Sequence, residues 1–368
     1  MGILKSLTLR NYRNYEHLDL FFQPGITVLV GDNGHGKTNL LESIYFLSIL
    51  RSFRSRQVRD LYRWEKSSFL IRAVISDGTG SYPIAVQYDT ARHLRVRGRT
   101  VAKASEFIGN LICVAFVPED ILLIKGSAGE RRRFLNITLT QLYAGYLPAL
   151  QDYHSALKSR NALLRAKRLD TGAVRAFDTV MAAKGATITR QRRDFFSELE
   201  ERLAMVSTEL LADVDSIEVR YQPSAMQSLD EADPPDYEAT LYKALQDGLE
   251  RDAQRCFTHS GPHRDDYGFF LHGKALQTYG SEGQCRMAAL LLKLATSDLA
   301  RDHKGEDSVT LLIDDVIGEL DTANRRRFFA RINAAAQVFF VCTDSRTAAE
   351  MQGAGLYRVQ DGNVTHEG

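Results

Sequence analysis

The stretch Gly31-Asp32-Asn33-Gly34-His35-Gly36-Lys37-Thr38 constrains this chain more than any other. A glycine, four residues and then Gly-Lys-Thr is the spacing of a P-loop, which cradles nucleotide phosphates. The run Ile26-Thr27-Val28-Leu29-Val30 before it is apolar and β-branched, as a buried strand requires. After it, Leu40, Leu41, Ile44 and Leu47 fall on one helical face. Strand, glycine loop and helix therefore come in the order a phosphate site needs. Glycines let the backbone curl until successive N–H groups point at phosphate oxygens, and the helix N-terminus adds partial positive charge. Lys37 is placed to reach the β- and γ-phosphates and Thr38 to hold Mg²⁺, with Asn39 next along the helix.

A second constellation completes the site. Val309-Thr310-Leu311-Leu312-Ile313 reads as another buried strand, and it ends in Asp314-Asp315. A carboxylate at a strand's carboxyl end is where the Mg²⁺ partner of a P-loop belongs. Asp314 is the metal-side candidate and Asp315 the residue to orient an attacking water. Ser281-Glu282-Gly283-Gln284 precedes an amphipathic helix, and Gly318-Glu319-Leu320-Asp321 follows the acidic pair. Near the start, Leu7 and Leu9, then Leu18 and Leu20, alternate as a small antiparallel sheet over residues 1–30. Its expected turn, Arg10-Asn11-Tyr12-Arg13-Asn14-Tyr15, puts Arg10 and Asn11 within reach of a nucleotide, or else is solvated.

Net charge is only +1, so affinity for nucleic acid has to come from local patches. One patch is Arg51, Arg54 and Arg56 with interleaved Phe53, Tyr62 and Trp64. A second is the hairpin carrying Arg92 and Arg95, turning at Arg97-Gly98. Arg131-Arg132-Arg133 opens a helical stretch and adds Arg131 as a DNA candidate. Charged runs are also what solvated faces look like, and the patches carry both readings. Apolar residues then recur at three and four through two long stretches separated at Thr171-Gly172, predicting an αα-hairpin arm. Arg190, Arg192 and Arg193 are assigned to the arm's polar face. A proline-rich acidic loop is expected over 222–237. Four scattered cysteines without CxxC or Cys/His spacing argue against zinc and disulfides and suggest a reducing cytoplasm. No apolar run reaches the length of a membrane span.

The set resembles the ATP-binding-cassette head: P-loop early, serine–glycine signature late, acidic strand after it, then a D-loop. The fold class expected is α/β, a mixed sheet around a P-loop core plus a mainly helical second lobe with a short αα-hairpin arm. The lobes are expected at 1–124 with 258–368, and at 125–257, with the signature loop 280–286 at their boundary. More narrowly, the chain resembles the bacterial RecF family of recombination mediators along essentially its whole length. The carrying residues are Arg10 to Tyr15, the P-loop, Arg51 to Arg54, Val117-Pro118-Glu119-Asp120, Arg131 to Arg133, Ser281 to Gln284 and Asp314-Asp315 through Asp321. Gly261-Pro262-His263-Arg264-Asp265-Asp266 is the most specific string among them.

That resemblance implies a weak, DNA-stimulated ATPase in DNA repair, replication and the SOS response. It implies an ATP-dependent homodimer in which Ser281, Gly283, Gln284 and Asp321 meet nucleotide across the interface. It also implies binding to duplex DNA and gap junctions without sequence specificity, cooperation with RecO and RecR in loading RecA, and a cytoplasmic, nucleoid-associated location. Four positions depart from the pattern. Gly280 stands where a larger residue is usual and is expected to loosen the loop. Asn136 replaces an aspartate, Thr343 lies near a usual histidine, and Asp315 is shorter than a transporter's glutamate. Two rival classes stand beside this reading: the ATPase subunit of a transporter and an SMC-like chromosome head. The arginine-rich hairpin and helical arm weigh against the first, the shortness of the arm against the second.

Overall fold

The computed structural model describes residues 2–210, 217–225, 236–316, 322–333, 335–343, 351 and 353–367. The chain divides into two compact units, 1–120 with 205–214 and 289–368, and 121–204 with 215–288. Two long helices, α6 (Thr171–Leu210) and α10 (Glu282–Lys304), pass from one unit into the other.

The first unit holds two six-stranded sheets. One is antiparallel, in the order β2-β1-β4-β5-β6-β7. It is built from β1 (Ile3–Tyr12), β2 (Tyr15–Phe21), β4 (Phe69–Asp77), β5 (Gly80–Tyr88), β6 (Arg92–Val96) and β7 (Arg99–Val101). Its strands alternate: Phe69, Ile71, Ala73 and Ile75 of β4 are buried while Arg72 is exposed. The other sheet has the order β15-β14-β3-β13-β12-β8. Its strands are β3 (Gly25–Val30), β8 (Ile112–Phe116), β12 (Val309–Asp314), β13 (Gln337–Cys342), β14 (Gly355–Gln360) and the antiparallel edge β15 (Asn363–Glu367). β8, β12 and β13 are buried at every position, the signature of parallel strands covered on both faces.

The helix α1 (Lys37–Ile49) shares one hydrophobic cluster with both sheets. Phe46 and Ile49 are buried along with Leu40, Leu41, Ile44 and Leu47, so the helix is enclosed rather than one-faced. Gln337 ties the sheets together: its amide donates to the Leu4 carbonyl at 2.7 Å and accepts from the Leu4 N–H at 2.8 Å. Around this core lie α2 (Ala104–Phe107) and α11 (Thr322–Ile332).

Two expectations about the first thirty residues are corrected. β3 leaves the antiparallel sheet for the parallel one. The supposed turn over 10–15 shrinks to Arg13-Asn14, because Tyr12 and Tyr15 continue the strands and are fully buried. Tyr12 packs edge-on against Phe69, centroids 5.4 Å apart.

The second unit is mainly helical. It contains α3 (Leu122–Lys125), α4 (Ala128–Leu142), α5 (Tyr146–Leu164), most of α6, α7 (Tyr237–Asp247), α8 (Leu249–Arg255) and α9 (Leu276–Tyr279). A three-stranded sheet, order β11-β10-β9, joins β9 (Glu218–Gln222), β10 (Asp266–Leu271) and β11 (Lys274–Ala275). α4 starts with a capping box, Ser127 accepting from the Glu130 N–H and Glu130 accepting from the Ser127 N–H. Pro148 lies in the first turn of α5, where no intrahelical N–H is needed. The contacts Tyr146–Arg192, Asp152–Lys184 and Arg160–Asp178 step in opposite directions along α5 and α6, which makes the αα-hairpin antiparallel. Thr171 is already helical, so the connection is 165–170 rather than Thr171-Gly172.

Arg192 is not on a polar face. It is buried on α6, donating to Asp265 at 2.8 Å, the Pro262 carbonyl at 2.7 Å, Asn136 at 2.9 Å and the Tyr146 hydroxyl at 3.1 Å. Arg160 is fully buried too, between Asp178 at 2.6 Å and Asp252 at 2.8 Å. Residues 258–288 group with this unit, not with the P-loop lobe as the sequence suggested. Pairing of β10 with β9, and the neutralisation of Arg192 and Arg131 by Asp265 and Asp266, give the physical reason. The acidic loop falls largely outside the described residues, with Gln222 ending β9.

Candidate functional site

A cavity of about 350 Å³ opens at the carboxyl ends of β3, β12 and β13, the crevice where open α/β sheets take ligands. It is lined by Asn33, Gly34, Gly36, Lys37, Thr38 and Asn39 from the loop and α1. Arg54, Pro118, Asp314, Asp315, Val341 and Thr343 complete the wall.

The glycines have separate jobs. Gly31 must lack a side chain because a Cβ there would lie 2.2 Å from the Val359 carbonyl oxygen. Gly36, at φ 112, caps α1 in the left-handed region, and its missing Cβ leaves room for Asn14 and the Tyr15 hydroxyl. Asp32, Asn33 and Gly34 are exposed at the tip, where the backbone can meet a ligand.

Lys37 is buried and folds back on its own loop, donating to the carbonyls of Gly31 at 2.6 Å and Asp32 at 2.7 Å. Burial lowers its pKa, and the nearby Asp314 charge opposes that shift. The Thr38 hydroxyl donates to Asp314 Oδ1 at 3.0 Å. Burial raises the Asp314 carboxyl's pKa, while Thr38 and the positive charge of Arg54 pull it back. A poorly solvated carboxylate and a hydroxyl facing a polar cavity are the donor set a small hard cation uses, so Thr38 and Asp314 fit Mg²⁺. An ammonium held only by loop carbonyls, beside open backbone N–H groups, fits a polyphosphate. Asp315 is exposed on the rim in the left-handed region, φ 49.

Neither Arg10 nor Asn11 lines this cavity. Arg10 is exposed on β1 opposite His17, and Asn11 accepts the Arg63 N–H through its carbonyl. Asn14 reaches the loop instead, its amide donating to the His35 carbonyl at 3.0 Å and accepting from Asn39 at 2.8 Å. His35 is fixed from the other side, its Nδ1 accepting the Asp361 N–H at 3.0 Å.

Arg54, although exposed, also belongs to this site. Its guanidinium donates to Asn39 at 2.9 Å and lines the cavity. A buried relay holds it there. Glu42, inside α1, takes two hydrogen bonds of 2.7 Å from Arg13 and one of 3.2 Å from the Tyr12 hydroxyl. Glu42 also accepts from the Ser52 hydroxyl, which itself accepts the N–H groups of Arg54 and Ser55 at 2.9 and 2.8 Å. Sequence reasoning missed Asn14 and Glu42. A charged residue amid the apolar positions of α1 was the available signal for Glu42.

The other DNA candidates separate by exposure. Arg51, Arg56, Arg92 and Arg95 are exposed. Arg131 is not available: it is nearly fully buried and locked onto Asp266. Ser281, Glu282, Gly283 and Gln284 are exposed at the first turn of α10. The Ser281 N–H donates to the Gln284 side chain at 2.9 Å and the Gln284 N–H to the Ser281 hydroxyl at 3.2 Å. Gly280 does not loosen this loop. A Cβ there would lie 2.6 Å from the Leu276 carbonyl oxygen and 2.8 Å from Cys285 Sγ, so glycine permits a tight crossing. Asn136 accepts from Tyr146 and Arg192, a structural role. Asp321 lies outside the described residues.

Residues 3–100 match the RecF/RecN/SMC N terminal domain family. A protein of Listeria monocytogenes named DNA replication and repair protein RecF is 34% identical over 98% of this chain and 99% of its own length. The one from Limosilactobacillus reuteri is 32% identical over 99% of each. The solved structure of the recombination mediator protein RecF with ATP in the RecFOR pathway superposes with a TM-score of 0.90. It is 28% identical and covers 99% of this chain and 97% of that one. An Smc head domain from Pyrococcus furiosus, 15% identical at a TM-score of 0.56, covers 100% of this chain and 96% of that one and shares the fold alone.

Proposed function

The chain belongs to the RecF family of DNA replication and repair proteins, and we propose that it works as an ATP-operated clamp on DNA. The observation that carries this reading is the Thr38–Asp314 contact, 3.0 Å long at the mouth of the glycine loop. A hydroxyl and a carboxylate paired beside the loop support a phosphate-bound cation held between them. ATP is chosen because a solved relative carries it by name.

In this reading, Lys37 would leave the Gly31 and Asp32 carbonyls and pair its ammonium with the β- and γ-phosphates. Thr38 and Asp314 would hold Mg²⁺, which would supply positive charge for the terminal phosphates. Asp315 orients the attacking water. Its short side chain and exposed position make it a weak positioner, so turnover should stay below about 1 per second, at the bottom of the kinase range. The exposed turn at Ser281, Gly283 and Gln284 offers a hydroxyl and helix N–H groups to the γ-phosphate of a second copy. Only the triphosphate would bridge two copies, so ATP closes the dimer and hydrolysis reopens it.

Exposed Arg51, Arg56, Arg92 and Arg95 would hold duplex phosphates, with no base-reading element among the described residues. DNA would then stimulate hydrolysis by favouring the closed dimer. Membership in this family supports cooperation with RecO and RecR in loading RecA at gaps. Among the described residues no helix is long and apolar enough to cross a membrane.

Sedimentation with and without ATP and gapped DNA tests the reading. Monomer without nucleotide and dimer with ATP is the expected result, with Lys37→Arg losing the dimer. Ser281→Arg should block dimerisation and leave ATP binding intact. Loss of ATP binding in Ser281→Arg would place the signature in its own subunit's site and overturn the clamp.

A further inference from the structure

The loop between α1 and β4 is basic, with Arg51, Arg54, Arg56, Arg59, Arg63 and Lys66 against Asp60 and Glu65. Three aromatic residues are interleaved with this charge, and the structure divides them. Phe53 is half-buried and packs edge-on against Tyr45, centroids 5.3 Å apart. Tyr62 is half-buried, pairs with Tyr12 in a β-bridge and packs on Phe69 at 5.5 Å. Trp64 is 86% exposed, and its ring touches no other ring or cation among the described residues.

The exposure is built, not accidental. Trp64 occupies a tight turn closed by the Lys66 N–H on the Arg63 carbonyl at 3.0 Å, with Glu65 in the left-handed region at φ 62. The turn is fastened to the end of β1 on both sides. The Arg63 N–H donates to the Asn11 carbonyl and the Arg13 N–H to the Leu61 carbonyl, each at 2.9 Å. The backbone beneath the ring is thus fixed, and a large apolar face stands in water. In the same loop, Arg59 and Lys66 are exposed, and neither side chain is paired with a carboxylate among the described residues. Unneutralised positive charge around one flat ring suits an anionic partner that also offers π-faces, and disfavours an apolar protein surface.

We propose that Trp64 is a stacking platform for an unpaired nucleobase, with Arg59 and Lys66 on the adjoining phosphates. The inference rests on the DNA-clamp reading and adds what the arginines alone cannot supply. Phosphate contacts are the same on paired and unpaired strands, whereas a free base face exists only where the duplex opens. Trp64 would therefore give the clamp a preference for gaps over paired DNA.

Trp64 is the chain's single tryptophan, so intrinsic fluorescence reports on this ring alone. Two DNAs of equal length, one fully paired and one with an oligo-dT gap, are titrated in the presence of ATP. Anisotropy of labelled DNA measures binding separately. The gapped DNA should quench the tryptophan and the paired DNA should not. Trp64→Ala should weaken gapped-DNA binding by about 5- to 150-fold, the loss of one base stack, and leave paired-DNA binding unchanged. Trp64→Phe should restore most of it. The proposal is overturned if gapped DNA binds without quenching, or if Trp64→Ala weakens both DNAs equally. It is also overturned if ATP alone quenches the ring, which would assign it to a contact between copies. No anisotropy change with either DNA would instead remove the clamp reading beneath it.

Discussion

Arg131 on α4 grips Asp266 at the start of β10 through two parallel hydrogen bonds, both 2.7 Å, across 135 positions of sequence. A third bond of 2.9 Å goes to the Gly126 carbonyl. The hydrogen bond to Asp266 raises the guanidinium's pKa despite burial, so the pair stays ionic. The fork geometry is one that lysine cannot reproduce. Arg131→Ala should therefore destabilise the helical unit by about 1–3 kcal/mol, the loss of charged hydrogen bonds to a half-buried Asp266. The salt dependence of DNA binding should not change. Denaturation and a salt titration of the same variant check both halves, and a shallower slope would return Arg131 to the DNA surface.

Arg131 also shows where legibility in the sequence ends. The P-loop, its flanking strand and helix, and the acidic strand were readable because local spacing alone dictates them. The alternating antiparallel sheet and the αα-hairpin were readable for the same reason. Whether an arginine is solvated, ion-paired or lining a cavity depends on partners far along the chain. Arg192 needs Asp265, and Arg160 needs Asp252, both brought near by tertiary packing. Periodicity places Arg192 on a helix and is silent about what faces it. Asn14 was missed because a two-residue turn gives no sign of which side chain turns toward a loop twenty residues on. Gly280 reads as a missing side chain until Leu276 and Cys285 are seen against it.

His263 makes the fold sensitive to mild acid. The Tyr153 hydroxyl lies 2.7 Å from its Nδ1, and its Nε2 is 3.1 Å from the Thr258 carbonyl, which fixes the Nε2–H tautomer. Burial, with the Arg264 and His154 charges adding to it, pushes the imidazole's pKa down to about 4. The unfolded chain takes up a proton near the ordinary value of about 6.5, while the native state does not. Below pH 6.5 the unfolded state is thus favoured, and stability falls until about pH 4 by up to about 1.4 kcal/mol per pH unit. His263→Gln, which keeps an N–H donor for the Thr258 carbonyl, should remove that part of the slope. Denaturant titrations of both proteins at pH 7, 6 and 5 test it, because carboxylates common to both cancel in the difference.

Asp314 shows opposite requirements for stability and function. Burial raises its carboxyl's pKa, so holding it ionised at neutral pH costs the empty protein free energy. Asp314→Asn removes that charge and keeps an oxygen for the Thr38 hydroxyl. The variant should be at least as stable as the parent without nucleotide. It should also lose Mg²⁺-dependent turnover by on the order of a hundred-fold or more, the loss of a metal-side carboxylate. A less stable Asp314→Asn with ATP hydrolysis intact would put the cation elsewhere.

The relay behind Arg54 is tested at Ser52, which touches no part of the cavity. Its hydroxyl gives its one proton to Glu42 and accepts two backbone N–H groups, so it is saturated. Ser52→Ala strands both N–H groups and removes a donor from a fully buried carboxylate. A stability loss of about 1–3 kcal/mol is expected from those unsatisfied groups. Its functional consequence is more specific. The turn that aims Arg54 at Asn39 loses its anchor, and the guanidinium beside Asp314 becomes mobile. KM for ATP should rise about tenfold while kcat changes little, because Arg54 is lost as a binding contact and the water-positioning carboxylate is untouched. Ser52→Thr keeps the hydroxyl and should restore KM, which a purely packing role would not explain. Equal KM values for Ser52→Ala and the parent would show that Arg54 finds its place without the relay.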